Sequence, residues 1–238
     1  MRKKTSGHVA VKGYQLVCKR QTRLAALAAL LGCLLWGGLV TPPALAAGPR
    51  LAALGDSLTA GYGLPADDAF PAQLEKALAA RGRQASIVNF GVSGDTTAGG
   101  LARLGQALAM RPDGVILELG ANDMLRGQDP EAARANLDAI MRRLSEAGIP
   151  VLVCGMRAAR NFGADYAAEF DAVYPELAKK YDAALYPFFL DGVAGRPDLT
   201  QADGLHPTAR GVAEVVTRIL PTVEAFLDRI ERTKTPKP

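Results

Sequence analysis

The stretch Leu51-Ala52-Ala53-Leu54-Gly55-Asp56-Ser57-Leu58 decides how the rest of this chain is interpreted. Four apolar residues come first, as in a strand that is buried on both faces of a parallel sheet. Gly55 then allows a sharp turn, and Ser57 follows at the carboxyl end of the strand. Ligands of open α/β sheets bind in the crevice beyond such strand ends. Ser57 is therefore predicted to face a site, although Asp56 and Ser57 are also residue types that cap a following helix.

Strand-like and helix-like segments alternate along the chain after this stretch. The predicted strands are 51–54, 86–90, 114–119, 150–153 and 184–186; the predicted helices are about 68–81, a segment marked by Leu101, Leu104 and Leu108, about 130–147, 165–180 and 208–229. This alternation predicts right-handed crossovers and a mainly parallel five-stranded sheet. We predict one α/β domain over 47–230, with an irregular stretch at 187–205 and a disordered tail at 231–238.

Residues 1–46 are predicted to be a secretory signal peptide. Seven basic residues and no acidic residue precede the apolar run Leu24 to Val40, and Ala44-Leu45-Ala46 supplies a small-residue cleavage site. We expect cleavage after Ala46 and export to the periplasm or the cell exterior. A retained membrane anchor stays open, although the apolar run is barely long enough to span a bilayer. A lipoprotein attached through Cys33 also stays open. A translation start downstream of Met1 stays open as well, since the basic region is long for a leader.

The charge and cysteine content of the chain depend on this segment. The whole sequence holds 28 basic and 24 acidic residues, a net charge of +4, whereas residues 47–238 hold 21 and 24, a net charge of −3. A chain with this balance offers no basic face to nucleic acid. Cys154 is the single cysteine after residue 46, which excludes an intramolecular disulfide. Its apolar strand context is more typical of a core residue than of a nucleophile.

One histidine, His206, lies outside the predicted leader. A serine hydroxyl becomes a nucleophile when a base takes its proton, and that base needs an orienting partner. Imidazole suits the task because its unperturbed pKa is near 6.5. Asp203 precedes His206 by three residues, so that a short turn can bring its carboxylate to one ring nitrogen and leave the other facing Ser57. The same four residues are also ordinary turn and helix-start signals.

Acyl transfer requires N–H donors for the developing oxyanion. The candidates are the backbone N–H of Ser57, the backbone N–H of Gly91 and the side-chain amide of Asn122. Gly91 permits a close approach of backbone to substrate. Taken singly, Gly91 is equally an ordinary strand-ending glycine, and Asn122 a turn residue or helix cap. We expect no metal site, because a single histidine is poor provision for one.

Four blocks in this order resemble the SGNH (GDSL) hydrolase family: Gly55-Asp56-Ser57-Leu58, Gly91, Asn122-Asp123 and Asp203-Gly204-Leu205-His206-Pro207. The resemblance covers Leu51 to Leu227 and is greatest to the bacterial periplasmic members that act as acyl-CoA thioesterases, lysophospholipases or arylesterases. It implies a three-layer, flavodoxin-like α/β/α sandwich, no metal or cofactor, and hydrolysis of esters or thioesters through an acyl-serine intermediate. Ser57, Asp203 and His206 take the catalytic positions, and Ser57, Gly91 and Asn122 those of the oxyanion hole. Ala121 departs from the pattern, which has a second glycine there.

The substrate is expected to be a small-molecule ester, thioester or lysophospholipid. Apolar residues near the predicted site loops are candidates for the acyl site, although core packing explains them equally well: Tyr62, Met124, Leu125 and Phe162. We expect a monomer that has no stable membrane insertion after leader cleavage and no nucleic-acid partner. Two other functions stay open, a carbohydrate acetylesterase of the same family and a non-catalytic α/β binding module.

Overall fold

A computed structural model describes residues 48–234; the predicted leader, its cleavage site and the last four residues of the predicted tail lie outside the described residues. Five strands form a parallel sheet in the order β2-β1-β3-β4-β5. They are β1 (Arg50–Gly55), β2 (Ser86–Gly91), β3 (Gly114–Glu118), β4 (Val151–Cys154) and β5 (Ala184–Tyr186). The central strands are buried along nearly their whole length, as their apolar runs predict.

The described part of the chain forms seven α-helices. They are α1 (Ser57–Ala60), α2 (Phe70–Ala80), α3 (Thr97–Ala109), α4 (Ala121–Leu125), α5 (Pro130–Glu146), α6 (Ala164–Lys180) and α7 (Ala209–Lys234). The chain moves one way along the sheet from β1 to β2 and the opposite way through β3, β4 and β5. Right-handed crossovers therefore put α2 on one face and α3, α5 and α6 on the other. Helix α7 packs against α2 and completes the first layer. The predicted three-layer sandwich is confirmed.

The direction of winding reverses between β1 and β3, which are neighbours in the sheet. The strand order 2-1-3-4-5 is that of flavodoxin-like folds, whose ligands bind at the carboxyl ends of the strands at this reversal. Ser57 follows β1 directly, and α4 with Asn122 follows β3. The topology thus brings two predicted site segments to one crevice.

Cys154 is fully buried as the last residue of β4. Burial raises the pKa of its thiol well above the usual range. Both observations confirm its interpretation as a core residue.

The last helix extends further than predicted. It continues to Lys234, so that the prediction of a disordered tail from residue 231 is wrong for 231–234. Ile230 is buried and packs with Phe226 at the start of β3, where a Cβ on Gly114 would lie 2.6 Å from Ile230 Cδ1. Arg83 on the loop before β2 also pairs with Asp228 and Glu231 on this helix. No helix within residues 48–234 is long and apolar enough to cross a membrane.

Candidate active site

The turn between β1 and α1 presents Ser57 at the start of a four-residue helix. Asp56 caps that helix, since its carboxylate accepts a hydrogen bond from Leu58 N–H at 2.9 Å. The capping interpretation therefore holds for Asp56, while Ser57 takes the first helical position. The N–H at this position has no acceptor inside the helix. Gly61, with φ of 82°, ends the helix in the left-handed conformation.

Ser57, His206 and Asp203 form a hydrogen-bonded chain. Ser57 Oγ lies 2.9 Å from His206 Nε2, and Asp203 Oδ2 lies 2.6 Å from His206 Nδ1. Because the carboxylate accepts a hydrogen bond from Nδ1–H, Nε2 is left to accept from the serine hydroxyl. The structure thus brings the three predicted catalytic residues together in the order that general-base activation of a serine requires.

The loop before α7 holds Asp203 in its ionised form. Asp203 Oδ1 accepts from His206 N–H at 3.0 Å and from Leu205 N–H at 2.9 Å. These bonds, with the one to the imidazole, lower the pKa of Asp203 to about 2. Gln201 Nε2 donates to Tyr62 O at 2.7 Å and to Pro207 O at 3.0 Å, which ties this loop to the residues that follow α1.

Asn122 lies in the first turn of α4 and joins two of the site loops. Its Nδ2 donates to Asp56 Oδ2 at 3.0 Å and to the carbonyl oxygen of Asp95 at 2.9 Å. The side-chain amide is therefore held between the turn that carries Ser57 and the loop that follows β2.

The structure does not support Gly91 as an oxyanion donor. Gly91 is the last residue of β2, and its N–H donates to Asn89 Oδ1 at 2.8 Å. A Cβ at this position would overlap Ala60 N and lie 2.6 Å from Ala60 Cα. Glycine is needed here because β2 packs closely against α1, which corrects the prediction: the backbone approaches a helix and not a substrate.

Gly94, three residues further on, has the properties expected of the donor. Its φ is +85°, and a Cβ there would meet nothing nearer than Arg126 Nη2 at 3.9 Å. Within residues 48–234 the N–H of Gly94 has no hydrogen-bond acceptor. Asp95, the next residue, is bonded to Asn122. The sequence signal that could have found Gly94 is the Ser93-Gly94-Asp95 segment, since Ser and Asp around a glycine favour a tight turn.

Two charged residues of the site region were not predicted to have a role. Arg103 on α3 pairs with Asp95 and donates to the carbonyl oxygens of Phe90 at 2.5 Å and Gly55 at 2.7 Å. It therefore ties together the ends of β1 and β2 and the loop that holds Gly94. Glu118 is fully buried at the end of β3, next to the Ser57 turn. An acidic residue inside an otherwise apolar predicted strand was the signal for Glu118.

The predicted acyl-site residues divide into exposed and buried groups. Tyr62 is exposed and its ring centroid lies 4.5 Å from that of His206, and Leu125 is exposed on α4. Met124 is buried in the hydrophobic core, so that core packing explains it. Phe162 is partly buried, stacks on Tyr166 at 5.1 Å and lies near Gly127. Among residues 48–234, no group of three or more His, Cys, Asp or Glu side chains could hold a metal ion.

Comparison with known proteins identifies the family. The profile of the GDSL-like lipase/acylhydrolase family matches residues 53–213. An arylesterase of Vibrio mimicus is 40% identical over 178 residues, which are 73% of this chain and 89% of that protein. The thioesterase 1/protease 1/lysophospholipase L1 of Escherichia coli is 41% identical over 163 residues, 68% of this chain and 77% of that protein. The crystal structure of AlinE4, an SGNH-hydrolase family esterase, is 52% identical with a TM-score of 0.64 and covers 76% of this chain and 97% of its own. The chain belongs to the GDSL-like lipase/acylhydrolase family and is an ester hydrolase.

Proposed function

We propose that this protein cleaves carboxylic esters and thioesters through an acyl-serine intermediate, with Ser57, His206 and Asp203 as the catalytic residues. The observation that carries the proposal is the continuous chain from Ser57 Oγ to His206 Nε2 at 2.9 Å and from His206 Nδ1 to Asp203 at 2.6 Å. A nucleophile, a base and an orienting carboxylate in hydrogen-bond contact are the minimum set for acyl transfer by serine.

The reaction proceeds in two halves. Ser57 Oγ bonds to the acyl carbon while its proton passes to His206 Nε2; the C–O or C–S bond then breaks, and the same proton leaves with the alcohol or thiol. In the second half His206 takes a proton from water, and the resulting hydroxide equivalent attacks the acyl-serine. The carboxylic acid is released and the proton returns to Ser57. Asp203, ionised throughout, stabilises the imidazolium formed in each half.

Three N–H groups are proposed to bind the oxyanion: the backbone N–H of Ser57, the backbone N–H of Gly94 and the amide of Asn122. The first lies at a helix N-terminus, where the dipole favours negative charge. For Asn122 the role requires that one of its two present bonds, to Asp56 or Asp95, is exchanged for the substrate oxygen. Each donor is worth roughly 2.7–4 kcal/mol of barrier.

The surroundings of Ser57 favour acyl groups with an alkyl or aryl body. Four large apolar side chains are exposed in the described part of the chain, three on loops and Leu125 at the end of α4, and all follow or flank residues of the site: Tyr62, Val92, Leu125 and Leu205. An apolar acyl chain would cover them in part, at a gain of about 25 cal/mol per Å². Aryl, alkyl and lysophospholipid esters are therefore the preferred substrates of the proposal, and short acetate esters are not.

Residues 1–46 are proposed to direct the protein to the periplasm or the cell exterior. The support is the order of basic residues, apolar run and small-residue cleavage site in the sequence. Fractionation of cells that express the tagged chain, with Leu30→Arg and Leu31→Arg as the leader-disrupted control, tests the proposal. Recovery of both forms in the cytosol at full length would contradict it.

The function is tested with p-nitrophenyl esters from acetate to palmitate and residues 47–238. Ser57→Ala should abolish hydrolysis, whereas Ser145→Ala, an exposed serine of α5, should not. Equal activity of wild type and Ser57→Ala would refute the catalytic assignment. A wild-type preference confined to acetate would favour a carbohydrate acetylesterase.

The acyl site is tested by the chain-length profile of Leu125→Ala. A loss of activity confined to long chains is expected, since each buried methylene contributes about 0.8 kcal/mol. Ile149→Ala, at the amino-terminal edge of the sheet, serves as the control. An unchanged profile in Leu125→Ala would exclude Leu125 from the acyl site.

A further inference from the structure

Glu118 connects the end of β3 to the turn that carries Ser57. It stands opposite Gly55 in the β1–β3 register, and its side chain crosses over Gly55 towards α1. Oε2 accepts hydrogen bonds from the Thr59 hydroxyl at 2.6 Å and from Asp56 N–H at 3.3 Å. A Cβ on Gly55 would overlap Thr59 Oγ1 and lie 2.6 Å from Oε2. The glycine of the Gly-Asp-Ser-Leu segment is thus required by the room that this carboxyl group occupies.

The two donors to Glu118 lie on either side of Ser57 in the sequence. Asp56 N–H precedes the nucleophile, and the Thr59 side chain follows it by half a helical turn. Ser57 itself is bonded only through its hydroxyl to His206 within residues 48–234, apart from the helical carbonyl bonds of α1. The position of the nucleophile therefore depends on how firmly the turn is attached to the sheet, and Glu118 supplies a side-chain attachment on both sides of it.

The surroundings of Glu118 favour its neutral form. Its side chain is fully buried, and Oε1 has no hydrogen-bond partner in the described part of the chain. The titratable groups that face it are Asp56 from the turn, Cys154 from β4 and Tyr174 from α6. Burial, and then the charge of Asp56, raise the pKa of Glu118 well above its usual range.

We propose that Glu118 is a positioning residue, an uncharged carboxylic acid that ties the turn carrying Ser57 to the end of the central strand. The inference rests on the proposed serine chemistry and adds a group that touches neither substrate nor the reacting atoms. A neutral acid has one carbonyl oxygen, here Oε2, that accepts from the Thr59 hydroxyl and from Asp56 N–H, and its O–H is Oε1, which has no hydrogen-bond partner in the described part of the chain. Glutamine has the same shape, one accepting oxygen and a donor, and carries no charge.

Three variants separate attachment from charge. Glu118→Gln keeps the acceptor and the neutral state, so kcat should stay within about threefold of wild type. Glu118→Leu keeps the volume but removes the acceptor, so kcat should fall roughly 10- to 100-fold with KM changed less than about threefold, because a misplaced nucleophile affects the chemical step. Thr59→Val removes one of the two donors to Glu118, so its kcat should lie between those of Glu118→Gln and Glu118→Leu. Thr217→Val, which loses a hydroxyl bonded to Ala213 O on α7, is the matched control and should behave as wild type.

The deciding readout is the rate at which a fluorophosphonate probe labels Ser57, measured beside kcat and KM on variants whose thermal unfolding remains cooperative. Slow labelling of Glu118→Leu with recovery in Glu118→Gln supports the proposal. Equal labelling of wild type and Glu118→Leu overturns it, and so does a Glu118→Gln variant as slow as Glu118→Leu, since a charged carboxylate would then be required. Failure of the wild type to label at Ser57 would instead refute the proposed function.

The alkaline side of the pH profile gives a second readout. Ionisation of Glu118 would place an uncompensated charge beside Asp56, so kcat/KM of the wild type should decline at high pH. Glu118→Gln should lack this decline. Identical alkaline limbs in the two proteins would contradict a neutral Glu118 as the working state.

Discussion

Replacement of Arg103 by methionine should destabilise the whole domain and loosen the site loops. The guanidinium pairs with Asp95 and donates to the carbonyl oxygens of Phe90 and Gly55. The two charged side chains are only 13% and 19% exposed. Methionine keeps most of the aliphatic volume but leaves the Asp95 carboxylate without its counter-charge.

The expected cost follows from this burial. Removal of one partner of a buried ion pair costs about 3–5 kcal/mol, because a charge is left uncompensated in a region of low dielectric. The remaining exposure of Asp95 lets water screen part of that charge, so we expect a loss on the order of 3 kcal/mol. At roughly 2–4 °C per kcal/mol for a domain of this size, the melting temperature should fall by about 6–12 °C.

Urea denaturation of residues 47–238, followed by circular dichroism, measures the loss. The control is Arg196→Met, which breaks a pair whose side chains are 51% and 47% exposed; it should cost no more than about 0.5 kcal/mol. A double-mutant cycle with Asp95→Asn isolates the pair, and the double variant should recover part of the loss. If Arg103→Met costs no more than Arg196→Met, the argument from burial is wrong.

Three further predictions concern positions away from this pair. Gly120 has φ of +117°, and a Cβ there would overlap Tyr174 Oη, so Gly120→Ala should lower the unfolding free energy by on the order of 3 kcal/mol. The double variant Gly120→Ala/Tyr174→Phe should recover part of this loss, and no recovery in urea titrations would contradict the clash. Because the pKa of Glu118 is raised in the folded state, the stability that it contributes is complete below its ordinary pKa near 4.5 and is lost as the pH rises towards the folded-state pKa. The wild type should therefore lose unfolding free energy relative to Glu118→Gln between pH 5 and pH 9. A constant difference between the two in urea titrations at pH 5, 7 and 9 would show that Glu118 is not neutral. Ile230 is 1% exposed, so Ile230→Ala should lower the unfolding free energy by about 2–4 kcal/mol. The control Arg232→Ala, at an exposed position nearby, should change it by no more than about 0.5 kcal/mol. Equal melting temperatures of the two variants would argue against the packing of the extended α7.

Local sequence was sufficient to predict the five strands and the five long helices, although not the short helices α1 and α4. The apolar runs of β1, β3 and β4 are long enough, and bounded clearly enough by turns, to predict strands buried on both faces. Ser57, Asp203 and His206 could be predicted because Ser57 follows the first strand, one histidine lies outside the predicted leader with an aspartate three residues before it, and these segments together resemble the SGNH (GDSL) hydrolase family.

The end of α7 shows where such local inference fails. Residues 231–234 are polar and were predicted to be disordered, but Ile230 packs at the start of β3 and Glu231 pairs with Arg83. Contacts from distant segments extend the helix beyond the point where its own composition favours it.

The choice among hydrogen-bond donors also depended on tertiary structure. Gly91 ends the second strand and Gly94 lies in the loop that follows it, and the sequence does not show which of the two N–H groups has an acceptor. In the fold, Asn89 accepts from the N–H of Gly91, while the N–H of Gly94, next to the Asp95 that is bonded to Asn122, has no acceptor among residues 48–234. The sequence marked Glu118 only as an acidic residue in an apolar strand and did not show its partners, because Asp56 and Thr59 lie about sixty positions earlier in the chain.

The sequence by itself determined the α/β alternation and predicted Ser57 after the first strand as the nucleophile, with His206 and Asp203 as its base and carboxylate. These properties follow from local periodicity and from the chemistry of individual side chains. Only the tertiary structure showed that the N–H of Gly91 has an acceptor while that of Gly94 has none within residues 48–234, and that the buried carboxyl group of Glu118 is bonded to Asp56 and Thr59. Both are settled by hydrogen-bond partners brought together when β1, β2 and β3 align their carboxyl ends, and such pairing leaves no local trace in the chain.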